Sequence, residues 1–220
     1  MKRSLFALAT MAAAAFTALT LAAPAGAATN TQVTSYKNTY AHASWSTTST
    51  TSTGTTVTDS NVALVKSTQG WADLSAWQLI QNYGADGSFL GAKETWGFNV
   101  GQFPYSVNPG LLSASASATG LVGGMETYDA NWHVASVDYN YAFGDVSATW
   151  TGQGKVTNTV YNYKYGSPGE GMTVIDHNVG ISRPAAATGT VAGLTFGGGD
   201  LVMGEIGNAK TGEIIIMFGR

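Results

Sequence analysis

The chain has 220 residues, of which 44% are hydrophobic, 11% aromatic and only 10% charged, and it contains no cysteine. This length and apolar content suit one folded domain and argue against a disordered chain. Ten basic against 13 acidic residues argue against a nucleic-acid binder, and the missing cysteines exclude disulfides, thiolate metal sites and cysteine nucleophiles.

The N-terminus has the three parts of a secretory signal peptide. Lys2 and Arg3 precede an uncharged apolar run over residues 5–23, and Ala25-Gly26-Ala27 supplies a small-residue cleavage site. We therefore predict that residues 1–27 are a signal peptide and that the mature protein is secreted. Removing them takes away two basic residues and changes the net charge from −3 to −5. No later run is long enough to span a membrane, so no membrane association is expected after cleavage.

A Ser/Thr-rich segment, residues 28–60, follows the signal peptide. Eleven of the 13 residues from 46 to 58 are Ser or Thr, which favours a solvated loop or flexible linker. The alternative is a flat Thr-rich strand surface that orders water or sugar hydroxyls. Residues 36–45 are richer in aromatic and β-branched side chains and give one possible strand.

From residue 61 to residue 220, short apolar stretches alternate with turn residues, and no stretch carries the apolar stripe of a helix. This pattern predicts an all-β domain of about ten strands, either a single antiparallel β-sandwich or a small β-barrel. The candidate strands are 61–67, 75–83, 88–98, 111–121, 132–143, 145–151, 156–165, 172–181, 187–195, 200–206 and 213–218.

Alternation along one candidate strand places Ala114, Ala116 and Ala118 on a common face. Such small side chains fill little volume. The sequence therefore leaves two alternatives open: bulky aromatic side chains from elsewhere fill the space, or a cavity remains.

Familiar catalytic and metal-binding motifs are missing from the sequence. There is no G-x-S-x-G elbow, H-E-x-x-H pair or calcium-loop spacing, and His42, His133 and His177 lie far apart. We therefore expect no metal site and no cofactor.

Three ionisable residues support an alternative, enzymatic interpretation. Glu94, His133 and His177 each alternate with apolar neighbours, and a carboxylate and an imidazole inside a barrel would form an acid/base pair. Such a pair suits isomerase, cyclase or hydrolase chemistry. Because strand parity changes at every bulge, we rank this interpretation second.

Aromatic residues in turns support a binding function. Trp71, Trp132 and Tyr105 lie in turn-like stretches, whereas we assign the other four tryptophans to the core. An aromatic ring stacks on the apolar face of a sugar while amides and carboxylates bond its hydroxyls. The predicted ligand-binding residues are Trp71, Trp132, Tyr105, Tyr128, Asp129 and Asn131.

The C-terminal half resembles a group of secreted bacterial β-rich proteins. The similarity lies in Ala148-Thr149-Trp150-Thr151-Gly152, Ser167-Pro168-Gly169, residues 183–191 and Ala209-Lys210-Thr211-Gly212. The resemblance implies an exported β-rich domain and brings no activity or site residue with it.

Taken together, these features favour a secreted, non-catalytic β-domain that binds a polysaccharide or another cell-surface ligand. The alternatives are the small-barrel enzyme and an outer-membrane β-barrel, the latter because strands rich in Tyr, Trp and Gly suit one. The sequence leaves the oligomeric state open.

Overall fold

The computed structural model describes residues 30–100, 102–167, 172–197 and 202–217. These residues form eleven β-strands joined by turns and contain no helix. The predicted all-β class is confirmed. The predicted signal peptide lies outside the described residues. Within the described ranges no helix is long and apolar enough to cross a membrane.

Nine of the eleven described strands have 11 or more residues, and β5 and β10 have three each. They are β1 (Asn30–Thr51), β2 (Gly54–Ser67), β3 (Ala72–Gly84), β4 (Phe89–Val100), β5 (Tyr105–Val107), β6 (Ser113–Tyr128), β7 (Val134–Gly152), β8 (Thr157–Ser167), β9 (Met172–Val191), β10 (Leu194–Phe196) and β11 (Met203–Met217).

Three predicted breaks fall inside continuous strands. Gly144 lies within β7, Pro184 within β9 and residues 208–212 within β11. Gly144 lies next to an irregularity in the β6–β7 register, where a bulge accommodates it. Residues 208–212 are paired with β1 on one side and β9 on the other, whereas Gly144 pairs only with Leu121 on β6 and Pro184 only with Glu205 on β11.

The Ser/Thr tract forms a hairpin, and the expected loop over residues 46–58 is wrong. β1 and β2 pair up to the two-residue turn, with Thr47 opposite Thr58 and Thr50 opposite Thr55. β2 then pairs with β3 along its whole length, so residues 30–60 belong to the same sheet as the rest of the chain. Threonine is β-branched and favours strands, a preference that outweighs the polarity of the tract here.

All strand pairs are antiparallel and belong to one sheet. The pairings run β1, β2, β3, β4, β6, β7, β9 and β11, and β11 pairs again with β1. β5 extends β6, and both β8 and β10 lie beside β9.

One face of this sheet, here called the core-side face, carries the hydrophobic core. Leu64, Leu74, Trp150 and Ile206 are fully buried on it. The small side chains Ala114, Ala116 and Ala118 belong to the same cluster, so bulky aromatics fill the space beside them. These aromatics are Trp45, Phe103, Phe143, Trp150 and Phe196, and Trp45 stacks on Phe196 with ring centroids 4.1 Å apart.

The core-side face has a second, accessible part, here called the open half. β1 pairs with β11 only as far as Ser44, and β7 pairs with β9 only from Val146 onward. Beyond those points the strands β1, β2, β3, β4, β6 and β7 continue, but neither β9 nor β11 pairs with them there. Their core-side residues there are half-buried or exposed, namely Thr47, Ser49, Thr56, Thr58, Ile80, Asn82, Lys93, Thr127 and Ser136.

Candidate functional site

Four of the six predicted ligand-binding residues lie together at the turn between β6 and β7. The Oδ1 atom of Asp129 accepts the backbone N–H groups of Asn131 at 2.8 Å and His133 at 2.9 Å. The Trp132 N–H donates to the Asp129 carbonyl at 3.0 Å. The backbone hydrogen bonds from His133 and Asn131 lower the pKa of Asp129, so this exposed carboxylate stays ionised at neutral pH.

Trp132 belongs to an aromatic turn cluster that also contains Tyr83, Phe89 and Tyr128. Its ring stacks on Phe89 with centroids 4.5 Å apart and planes at 10°, and it contacts Tyr128 at 5.6 Å. Its backbone φ is 63° and it remains 47% exposed. A bulky residue in this left-handed conformation is strained by roughly 1–3 kcal/mol, so the rest of the turn holds the ring in place.

A network of acidic and hydroxyl groups adjoins the cluster on the face opposite the core. The Trp77 indole N–H donates to Glu94 Oε1 at 2.6 Å. The Tyr128 hydroxyl lies 2.9 Å from Glu94 Oε2 and 2.5 Å from Glu126 Oε2, and with one proton it donates to one carboxylate at a time. Burial and these two hydrogen bonds raise the pKa of Tyr128 above its usual value. The network is therefore rich in acceptors for the hydroxyl groups of a ligand.

The other two predicted ligand-binding residues, Trp71 and Tyr105, meet in a second place. They line an open groove of about 580 Å³ that also includes Phe103, whose ring lies 5.3 Å from that of Tyr105. The Lys66 ammonium lies 5.6 Å from the centre of the Tyr105 ring. The full lining is Gly70, Trp71, Ala72, Gln102, Phe103, Pro104 and Tyr105.

The six residues thus divide between the two ends of the sheet. Trp71 precedes β3, and the aromatic turn cluster begins with Tyr83 near the end of the same strand. At about 3.3 Å per residue, the 13 residues of β3 separate the two places by roughly 40 Å.

The structure does not bring Glu94, His133 and His177 together. Glu94 is half-buried on β4, whereas the His133 side chain is 79% exposed and lies 3.5 Å from Asp129. His177 is exposed on β9, where it contacts the side chain of Asn162. In the order of pairings, β6 and β7 lie between the strands of Glu94 and His177.

Two of the tryptophans assigned to the core lie elsewhere. Trp45 and Trp150 are buried core residues as expected, but Trp77 and Trp96 are half-buried on the opposite face and lie in register with each other. A Cβ at Gly124 would overlap the Trp96 ring, so glycine is required where the indole crosses β6. Trp96 also lines an open groove of about 570 Å³ with Phe98, Val122 and Tyr139 among others.

Tyr40, His42 and Glu205 form a polar cluster that no pattern in the sequence indicated. The Tyr40 hydroxyl donates to Glu205 Oε1 at 2.6 Å, and His42 lies opposite Glu205 in the β1–β11 register. Burial lowers the pKa of His42 although Glu205 opposes the effect. Only the long-range pairing of β1 with β11 brings these residues together, which is why local spacing could not find them. Within the described ranges no group of three His, Asp or Glu side chains is placed to hold a metal ion.

No protein-family model, curated protein or solved structure matches this chain. The geometry of the sites therefore carries the functional assignment.

Proposed function

We propose that this chain is a secreted, non-catalytic domain that binds an extracellular polysaccharide through the aromatic turn cluster. The observation that carries the proposal is Trp132. Its indole is about half exposed and is held in a strained turn, with Asp129 and Asn131 beside it. A core-capping tryptophan needs no such strain, and exposed apolar rings are unfavourable unless they are used.

The chemistry of the cluster suits a sugar ring. The exposed indole provides an apolar face for the C–H groups of a pyranose, and Phe89 keeps the indole in a fixed orientation. Asp129 accepts hydrogen bonds from sugar hydroxyls as an ionised group, and the Glu94 and Glu126 carboxylates add further acceptors nearby.

The groove of Trp71 and Tyr105 is proposed as a second contact for the same polymer. It offers aromatic side chains and the amide of Gln102, again the combination that sugars need. Since the two places are roughly 40 Å apart, a polysaccharide reaches both and a monosaccharide does not.

The proposed scaffold is a small β-barrel rather than a sandwich. The circuit of pairings from β1 through β11 and back to β1 supports closure, because a sandwich of two separate sheets would break that circuit. The direct pairing of β4 with β6, which ends at Ala92 opposite Tyr128, keeps the two hairpin turns of the aromatic turn cluster at a fixed separation.

Binding is tested by measuring retention on a panel of insoluble and soluble polysaccharides, together with intrinsic tryptophan fluorescence. Trp132→Ala should weaken binding at least about tenfold, and Trp132→Ala with Trp71→Ala should abolish it. Tyr139→Ala is the matched control, because Tyr139 is an exposed aromatic outside both places and its loss should change nothing.

The proposal fails if the folded wild-type protein binds none of a broad glycan panel, or if Tyr139→Ala weakens binding as much as Trp132→Ala. Secretion is tested separately by N-terminal sequencing of protein recovered from the culture supernatant. The expected first residue is Ala28.

A further inference from the structure

A row of buried polar side chains crosses the core-side face where the packed core ends. Ser60, Gln78 and Thr95 lie opposite one another on β2, β3 and β4, and Ser60 and Gln78 are only 3% and 5% exposed. Neither Ser60 Oγ nor Gln78 Nε2 has a hydrogen-bond partner. A buried polar atom without a partner is unfavourable, and a hydrogen bond from a ligand to either atom would remove that cost.

The open half lies directly beyond this row. The next row on the same face contains Thr58, Ile80, Lys93 and Thr127, all of which are half-buried. The unpartnered atoms of Ser60 and Gln78 lie beneath this row and are themselves covered from solvent, so a solute entering the open half bonds them only when the half-buried side chains above them move aside.

Lys93 brings a positive charge to the base of the open half. Its ammonium lies 3.4 Å from the Tyr141 hydroxyl and 5.0 Å from the Tyr141 ring centre, and it forms no ion pair with any residue that the structure describes. The neighbouring residue Glu94 points to the opposite face by strand alternation. Asp138 on β7 is exposed, with Oδ1 bonded to the Asn140 N–H at 2.9 Å.

We infer a second ligand site at the base of the open half, formed by Lys93, Gln78 and Ser60, for a small hydroxylated carboxylate of the sugar-acid type. The Lys93 ammonium pairs with the carboxylate, and the Gln78 amide and the Ser60 hydroxyl bond the ligand's hydroxyl oxygens. Thr58 and Thr127 add hydroxyl groups at the sides. This site lies on the face opposite Glu94 and Glu126 and does not depend on the proposed polysaccharide surface.

The test is calorimetric titration of the full mature protein with D-glucuronate, with D-glucose and acetate as comparators. Glucuronate should bind at least about tenfold more tightly than either comparator, because only glucuronate has both the carboxylate and the hydroxyls. Lack of glucuronate binding by the folded protein, or equal binding of all three, would overturn the inference.

Two variants and one control locate the binding. Lys93→Met should remove the preference for glucuronate over glucose, and Gln78→Leu should weaken glucuronate binding at least about tenfold. Lys155→Met is the matched control, because Lys155 is exposed in the turn between β7 and β8 and belongs to neither proposed binding place. Thermal unfolding of Gln78→Leu separates binding from folding, since removing an unpartnered buried donor should leave its Tm equal to or above that of the wild type.

The same variants separate this site from the polysaccharide surface. Trp132→Ala should keep full glucuronate binding, and Lys93→Met should keep polysaccharide retention. A high-resolution structure with glucuronate that shows only ordered water on Gln78 and Ser60, or Lys155→Met losing binding as Lys93→Met does, would refute the site while leaving the polysaccharide proposal intact.

Discussion

The packed and open halves of the core-side face share the strands β1, β2, β3, β4, β6 and β7. They differ because β9 and β11 pair with these strands only in the packed half. On β2, Leu64 is fully buried, whereas Thr58, six residues earlier on the same face, is half-buried. In both halves, successive side chains along a strand alternate between the two faces of the sheet. Burial ends where β11 stops pairing with β1 at Ser44 and where β9 no longer accompanies β7 before Val146. Tertiary pairing, more than local alternation, therefore decides which residues form the core.

The largest expected effect is in the packed half. Leu64→Ala should lower the free energy of unfolding by about 2–5 kcal/mol, since it removes buried methyl groups and leaves a cavity. Urea denaturation measures the change. Leu90→Ala is the matched control because Leu90 is 57% exposed on the opposite face, and equal effects of the two substitutions would show that the core does not lie on the core-side face.

A smaller effect is expected from overfilling the packed half. Ala116→Leu should reduce stability by about 1–3 kcal/mol, because Ala116 lies in a core already filled by aromatic rings. Ala142→Leu, at an exposed position on β7, should leave the urea midpoint nearly unchanged. A neutral Ala116→Leu would instead mean that a cavity persists beside this strand.

Burial of a carboxyl group gives a prediction with a defined pH dependence. Burial raises the pKa of Asp73 from 3.8 to about 6, and its Oδ1 has no hydrogen-bond partner. The folded state then binds more protons than the unfolded state between these values, so this group makes stability fall as pH rises from about 4 to about 6. Asp73→Asn should remove this decrease and raise stability at pH 7 by roughly 1–2 kcal/mol.

Urea midpoints at pH 4 and pH 7 check this prediction. Asp138→Asn serves as control because Asp138 is exposed. Equal pH profiles for wild type and Asp73→Asn would show that another group sets the dependence.

The features that could be predicted from the sequence depend on residues close together in the chain, such as side-chain alternation along one strand. Alternation placed Glu94 among apolar neighbours, which are Leu90, Trp96 and Phe98, but Leu90 and Phe98 are more than half exposed, so the shared face is not the core. Parity tells which side chains share a face, and only the long-range pairing and packing of the strands tell which face is buried. Trp71 and Tyr105 line the same groove because of long-range strand pairing in the same way, since the position of Tyr105 depends on the pairing of β5 with β6.

The turn between β6 and β7 was more predictable. Asp129 and Asn131 are residues that bond their own backbone, and Asp129 does so here. The Ser/Thr hairpin was not predictable from composition, because its strand structure depends on the pairing of β2 with β1 on one side and with β3 on the other.

The smallest expected effect is in the open half. Thr58→Ala should change the free energy of unfolding by no more than about 0.5 kcal/mol, because Thr58 is half-buried beyond the end of the core. Its hydroxyl should matter for glucuronate binding instead, with a loss of a few-fold. If urea denaturation gave Thr58→Ala a destabilisation like that of Leu64→Ala, the open half would be part of the packed core. The ligand site at its base would then have no access to solvent.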